Sequence, residues 1–382
     1  MQSDFEQYAG EIRDGLTADA ANPPPLLDTI SAADLQRANL PPVRFVVDAL
    51  ISHGLSIIAS PPKFGKSWLV LYLCLCVAAG RAFLGYQTNK CRVLYLALED
   101  SKHRLKSRMD ALLAGQAAPQ GFDFAINAHA LDNGLLDELD GYLKENPTTG
   151  LIVIDTLQKV RGAVHGREGA YAADYREMAT LKSFADAHNI ALLLVHHLRK
   201  MGDDGDPFAR ISGTNGIFGA ADTAIVLTRE KRGDENTTMS IVGRDVESAE
   251  IVLRFDKQSG RWVNIGSAED VAEQRARDEY LNNPLVETVK KLLEQSADHR
   301  WSGTASDLMA AGQFMAQAYL APNTKALGKA ISSMERLMLD YDGILHTTTG
   351  NGNAGRKHHF SYQDAPEFTE LTDADQEELP FS

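Results

Sequence analysis

The chain has 382 residues, 44% of them hydrophobic and 24% charged, with a formal net charge of −14 at pH 7. That composition is expected of a soluble globular protein with room for one large domain and a smaller one, and it excludes a collagen-like or disulfide-stapled chain. The acidity is uneven: seven acids against two bases in residues 1–40, and seven against none in 363–382, leave the body close to neutral, so a local basic stripe can still meet a polyanion.

Residues 1–42 are polar and hold Pro23-Pro24-Pro25 and Pro41-Pro42, the texture of an arm or linker. They lack a basic segment followed by an apolar one, so no secretory signal is expected. From 43 to 265 apolar runs alternate with helical stretches. Strands are predicted over Leu55–Ala59, Val93–Leu98, Leu151–Ile154, Ala191–Val195 and Ala224–Leu227. Helices between several of them imply a mainly parallel sheet covered on both faces. Shorter runs at Thr238–Gly243, Ile251–Phe255 and Trp262–Ile265 predict an antiparallel extension. The helix Trp68–Ala79 is apolar all round, but it is shorter than the roughly twenty residues that span a bilayer; no membrane association is expected. Cys74, Cys76 and Cys91 fall in core elements, which suits packing and a reducing cytoplasm. Residues 266–283 are charged and helical, a connector. In 284–362, helices are predicted at Leu285–Leu293, Ala305–Ala311 (with Thr304 as N-cap and Asp307 three residues on) and Leu327–Asp340. Strands at 343–349 and 356–362 then flank a Gly/Asn turn, the order of a winged helix. Residues 363–382 form an acidic tail.

Chemistry concentrates at strand ends. After Leu55–Ala59 comes Ser60-Pro61-Pro62-Lys63-Phe64-Gly65-Lys66-Ser67, then Trp68. Apart from Ser60 in place of the first glycine, this is the phosphate-loop pattern G-x-x-x-x-G-K-[ST] in its strand–loop–helix setting. Backbone N–H groups at the helix start face phosphate, Lys66 reaches the β- and γ-phosphates, and the Ser67 hydroxyl holds Mg2+. Leu151–Ile154 ends in Asp155, placed to hold the Mg2+ shell. Val93–Leu98 ends in Glu99 and Asp100; Glu99 can activate water, with Asp100 as a helix cap or support. Ala191–Val195 ends in His196 and His197, either of which can touch a γ-phosphate. Open α/β sheets place ligands at these carboxyl ends.

Together these segments resemble the RecA-like ATPases, in particular the RepA-type hexameric replicative helicases and their phage and plasmid relatives. The carriers are Pro62–Ser67, Tyr95–Asp100, Val153–Leu157, Val195–Lys200, Ser212-Gly213-Thr214, Gly219–Asp222 and Gly243-Arg244-Asp245. The resemblance implies a RecA fold over 43–265, with ATP and Mg2+ bound between subunits of a homo-oligomeric ring, a hexamer. It implies Glu99 as catalytic base, Asp155 as the Mg2+-shell aspartate, His197 as γ-phosphate sensor and Arg244 as an arginine finger given to the neighbour. Single-stranded DNA in the ring channel would meet Arg199, Lys200 and Arg210, and Arg161 from a second loop. Residues 284–362 resemble the winged-helix module of phage primase-helicases, with Arg356 and Lys357 as wing-tip DNA contacts and, like the acidic tail, an alternative role as a dock for replication proteins. An ATPase acting as a switch or loader, and a non-catalytic DNA-binding scaffold, remain alternatives.

Overall fold

The computed structural model describes residues 29–162, 170–198, 206–211, 215–229, 231, 233–350 and 356–363. Two units divide the chain, 1–44 and 45–382. Of the first, the described part holds one helix, α1 (Ala32–Arg37), capped by Ser31, whose hydroxyl accepts the Asp34 N–H; none of its residues is buried.

The second unit opens with a small antiparallel pair, β1 (Phe45–Val47) and β2 (Ile51–Ser52). There follow β3 (Gly54–Ser60), α2 (Lys66–Ala79), β4 (Arg92–Ala97), α3 (Lys102–Leu113), β5 (Phe122–Ala125), α4 (Leu135–Glu145) and β6 (Thr149–Asp155). Next come α5 (Leu157–Val160), α6 (Ala170–His188), β7 (Ala191–His197), α7 (Asn215–Ala220), β8 (Thr223–Thr228), β9 (Asn236–Gly243), β10 (Ala249–Asp256) and β11 (Arg261–Ser267). They build one nine-stranded sheet in the order β11-β10-β9-β8-β3-β7-β6-β4-β5. Pairing is parallel from β5 to β8 and antiparallel from β8 to β11. This is the expected fold class, a mainly parallel sheet with an antiparallel extension.

The strand sequences explain the layering. Successive side chains point to opposite faces, so Val93, Tyr95, Leu151, Val153, Leu193 and Val195 join one core with α2 and α3. Their neighbours Leu94, Leu96, Ile152, Ile154, Leu192 and Leu194 join the other with α4 and α6. Each such side chain contributes about 1.5–3 kcal/mol on burial. Covering both faces is what makes the middles of these strands apolar on both sides. Helix α2 lies against the sheet with ten buried residues, including all of Leu73–Ala78. Gly80 ends it in a left-handed turn (φ 68°) whose N–H meets the carbonyls of Cys76 and Val77. Side chains larger than hydrogen are disfavoured in that conformation.

Beyond β11 the chain runs through α8 (Ala268–Leu281), α9 (Pro284–Gln295), β12 (Arg300–Thr304), α10 (Ala305–Ala311), a π-helical turn at Gly312–Ala316, α11 (Thr324–Asp342), β13 (Ile344–Thr349) and β14 (Lys357–Tyr362). Leu285, Val289, Leu308, Leu327, Ile331, Met338, Ile344 and Phe360 form its core. Thr304 and Asp307 make a reciprocal capping box on α10. The three strands pair antiparallel in the order β12-β14-β13. The sequence reading has no β12; Trp301–Thr304 was expected only to lead into a helix. Among the described residues no helix is long and apolar enough to cross a membrane. The free thiols of Cys74 and Cys76 are buried and Cys91 half-buried.

Candidate functional site

The loop after β3 runs from Ser60, fully buried at the strand end, to Lys66 at the start of α2. Gly65 takes φ 94° and serves as the N-cap of α2. A methyl group there would come within 3.1 Å of the Trp262 ring, whose indole N–H donates to the Gly65 carbonyl at 3.3 Å. The antiparallel extension therefore holds the loop from below, since Trp262 lies on β11. Gly260 meets Trp68 still more closely, its would-be Cβ at 2.3 Å from the indole.

Lys66 is 6% exposed. Its ammonium donates to the Ser60 carbonyl at 2.8 Å, the Ser60 hydroxyl at 3.1 Å and the Pro61 carbonyl at 3.4 Å. It also lies 3.2 Å from His197 Nδ1. An ammonium only donates, so Nδ1 accepts and the imidazole proton sits on Nε2. Burial lowers Lys66 to about 8, against the Asp155 and Glu99 carboxylates, which pull it up. Burial, then the Lys66 charge, lowers His197 and keeps the ring neutral near pH 7.

Asp155 is 6% exposed at the end of β6. Burial raises its carboxyl, opposed by hydrogen bonds from Tyr95 and Ser67 and by the Lys66 charge. The Tyr95 hydroxyl donates to Asp155 Oδ2 at 2.7 Å. Register explains the reach: Ala97 of β4 lies beside Asp155 of β6, and Tyr95, two residues back, is on the same face. Ser67 and Asp155 offer oxygen ligands only, which suits a hard cation such as Mg2+ completed by phosphate and water oxygens. Among the described residues no group of three His, Cys, Asp or Glu side chains could cage a metal without such help.

Glu99 is exposed beyond the end of β4, with Oε1 accepting the Thr156 hydroxyl at 3.3 Å. Asp100 does not cap α3. Ser101 does, accepting the Arg104 N–H, while Asp100 pairs with Arg104 at 2.8 Å and with Arg108. The structure thus brings Lys66, Ser67, Glu99, Asp155 and His197 to one edge of the sheet, as the strand ends imply.

Other expected contacts fall elsewhere. Arg244 follows β9, and its backbone N–H bonds the Asp222 carbonyl at 2.8 Å. Asp222 also accepts the Leu55 N–H, so Arg244 lies at the opposite end of β3 from the loop, roughly 20 Å away along the strand. Its guanidinium is 59% exposed, 3.4 Å from the Asp222 carboxylate, which Lys182 holds at 2.6 Å. Arg161 does not offer a free charge: it pairs with Glu177 at 2.8 Å and with buried Asp174, and its side chain is only 17% exposed. A DNA phosphate there would have to displace two carboxylates from a desolvated cation, so the expectation for Arg161 is corrected. Arg210 is half-buried, with Nε enclosed and without a hydrogen-bond partner among the described residues. Arg199, Lys200 and Ser212-Gly213-Thr214 lie outside the described residues. Arg356 is exposed and donates to Thr348 Oγ1 at 2.9 Å; Lys357 is exposed.

Sequence reasoning did not single out Arg229 or Phe255, which stand beside the loop residues Lys63, Phe64 and Trp68. A cleft of about 820 Å³ adjoins the loop, lined by Lys63, Phe64, Trp68, Arg229 and Phe255. The Arg229 guanidinium lies 4.4 Å over the Phe64 ring. Arg229 directly follows β8, just where the parallel strands give way to antiparallel ones; an arginine after an apolar strand was the available signal.

Residues 20–203 match a family model described as an AAA domain. No curated protein matches the chain. Among solved structures, one described as an ATPase domain is similar at a TM-score of 0.47 and 15% identity, covering 68% of this chain and 98% of that one. A DnaB-like replicative helicase, described with its interactions with primase, is similar at 0.47 and 15%, covering 61% of this chain and 66% of that one.

Proposed function

We infer, from a RecA-like core and an AAA domain matched over residues 20–203, that this chain hydrolyses ATP as a motor of the replicative-helicase type. The observation that carries the reading is the convergence of Lys66, Ser67, Asp155, Glu99 and His197 at the carboxyl edge of β3, β6, β4 and β7. In this reading the loop N–H groups and Lys66 hold the β- and γ-phosphates. Ser67 and Asp155 hold Mg2+, which when bound screens phosphate charge. Glu99, steadied by Thr156, takes a proton from the attacking water as its oxygen bonds the γ-phosphorus and the bridging β–γ bond breaks. Neutral His197 donates through Nε2–H to a γ-phosphate oxygen. The cleft beside the Arg229–Phe64 pair, lined also by Trp68 and Phe255, takes the base.

Further parts of the proposal are a homo-oligomeric, hexameric ring; Arg244 given to the neighbouring site; and single-stranded DNA in the channel on Arg199, Lys200 and Arg210. We assign 1–42 as an arm, 43–265 as the ATPase, 266–283 as a connector, 284–362 as a winged helix contacting DNA or replication proteins, and 363–382 as an acidic tail. The test is ATP turnover of the full chain with and without single-stranded DNA, alongside its mass in solution with ATP. Stimulation by the strand in a ring-sized assembly is expected. Turnover indifferent to DNA would favour the switch or loader, and absence of turnover the scaffold.

A further inference from the structure

Glu99 stands between two elements, past the end of β4 at Ala97 and before the start of α3 at Lys102. Its side chain is exposed, and the Thr156 hydroxyl reaches it only at 3.3 Å, long for an O–H···O bond. A carboxylate held so loosely takes its aim from its backbone. That backbone is gripped from α3. Arg104 Nη2 donates to the Glu99 carbonyl at 2.8 Å, while Arg104 Nε lies 2.8 Å from Asp100 Oδ1. Arg108, one turn further along α3, pairs with Asp100 Oδ2. The Arg108 guanidinium also faces the Trp68 ring at 5.7 Å. Trp68 directly follows Ser67 in the first turn of α2. The Asp100 carboxylate, 9% exposed, is thus tied on one side to the helix that the phosphate loop opens and on the other to the backbone of Glu99.

We propose, on the reading of Glu99 as the base, that Arg104, braced by Asp100 and Arg108, is the positioning residue that aims Glu99 at the attacking water. An exposed arginine paired with an aspartate four residues away contributes little by itself. Two features set this pair apart. The planar fork of Arg104 bonds two successive residues, and so fixes the Glu99–Asp100 backbone rather than one side chain. Asp100, in turn, leaves the capping of α3 to Ser101 and keeps its carboxylate for the two arginines. The side chain of Arg104 is 59% exposed, and it does not line the cleft beside the phosphate loop. Its removal therefore spares both the core and the nucleotide contacts. What it disturbs is the placement of a proton acceptor, where a shift of about 1 Å can cost on the order of a hundredfold in rate.

The test measures steady-state ATP turnover, ATP affinity and melting temperature of the full chain. Arg104→Ala should lower kcat about 10- to 100-fold while KM, ATP affinity and melting temperature stay near those of the wild type. Arg104→Lys, with an ammonium in place of the fork, should recover only part of the loss. Guanidinium ion, at concentrations too low to unfold the protein, should restore turnover to Arg104→Ala, and neutral urea should not. Because Arg104 acts only through Glu99, adding Arg104→Ala to Glu99→Gln should slow turnover no further. Full kcat in Arg104→Ala beside an inactive Glu99→Gln would overturn the positioning role and leave the base in place. A loss that adds to that of Glu99→Gln and resists guanidinium would make Arg104 a structural residue and overturn it too. Normal hydrolysis by Glu99→Gln would remove the base itself, and the role of Arg104 with it.

Discussion

At the scale of single residues, the most telling is Lys66, a buried ammonium held by neutral acceptors and poised to meet a polyanion. Its folded pKa, about 8, lies below the usual 10.5. Between those values the unfolded chain keeps a proton that the folded chain has lost, so stability should rise with pH through that window. The charged form costs the nucleotide-free folded protein on the order of 3 kcal/mol near neutrality. Urea midpoints measured from pH 7 to 10.5 should therefore climb more steeply in the wild-type protein than in Lys66→Met. Buried Tyr95 and Cys74, both raised by burial, pull the opposite way, which makes the difference between the two proteins the quantity to read. Saturating ATP, by returning anions to Lys66, should abolish that difference; parallel curves without nucleotide would sink the account. Glu99 is tested separately: Glu99→Gln should bind ATP with near-native affinity while turnover falls about 10²–10⁴-fold. Normal hydrolysis in that variant would remove Glu99 from the role of base.

At the scale of elements, the loop is not held by its own strand and helix alone. Trp262 is 2% exposed and bonds the Gly65 carbonyl from a strand nearly two hundred residues on. Trp262→Leu should cost about 3 kcal/mol, near the lower end for large-to-small core changes, and should raise KM for ATP more than it lowers kcat. The reverse pattern in steady-state kinetics would mean that the indole does not position the loop. This tie was not legible in the sequence, because nothing local links a tryptophan to a glycine at that separation. The strands that flank the site were legible: β3, β4, β6 and β7 each carry a mostly apolar run because both faces are covered. β1, β2, β5 and β12 were missed because two to five residues, most of them polar or partly exposed, carry no usable period. Arg161 was misjudged for a related reason. Its partners Asp174 and Glu177 come to it from α6, and charge counts along the chain do not reveal a pairing made in space.

At the scale of the whole molecule, the nine-stranded sheet carries the loop at one end and Arg244 at the other. If Arg244 serves a neighbour, Arg244→Ala should bind ATP normally and turn over very little. Mixing it with Lys66→Ala should restore part of the activity, because some interfaces then pair an intact loop with an intact arginine. Activity that stays at zero at every ratio, with subunit exchange demonstrated, would end the shared-site idea.

The same separation sets a counting rule. Copies joined loop to arginine form a head-to-tail series. An open row always leaves one loop unserved at one end and one arginine idle at the other. Only closure makes complete sites as numerous as subunits. Turnover per subunit should then report the topology of the assembly, climbing as rows lengthen and reaching its ceiling when no end is left.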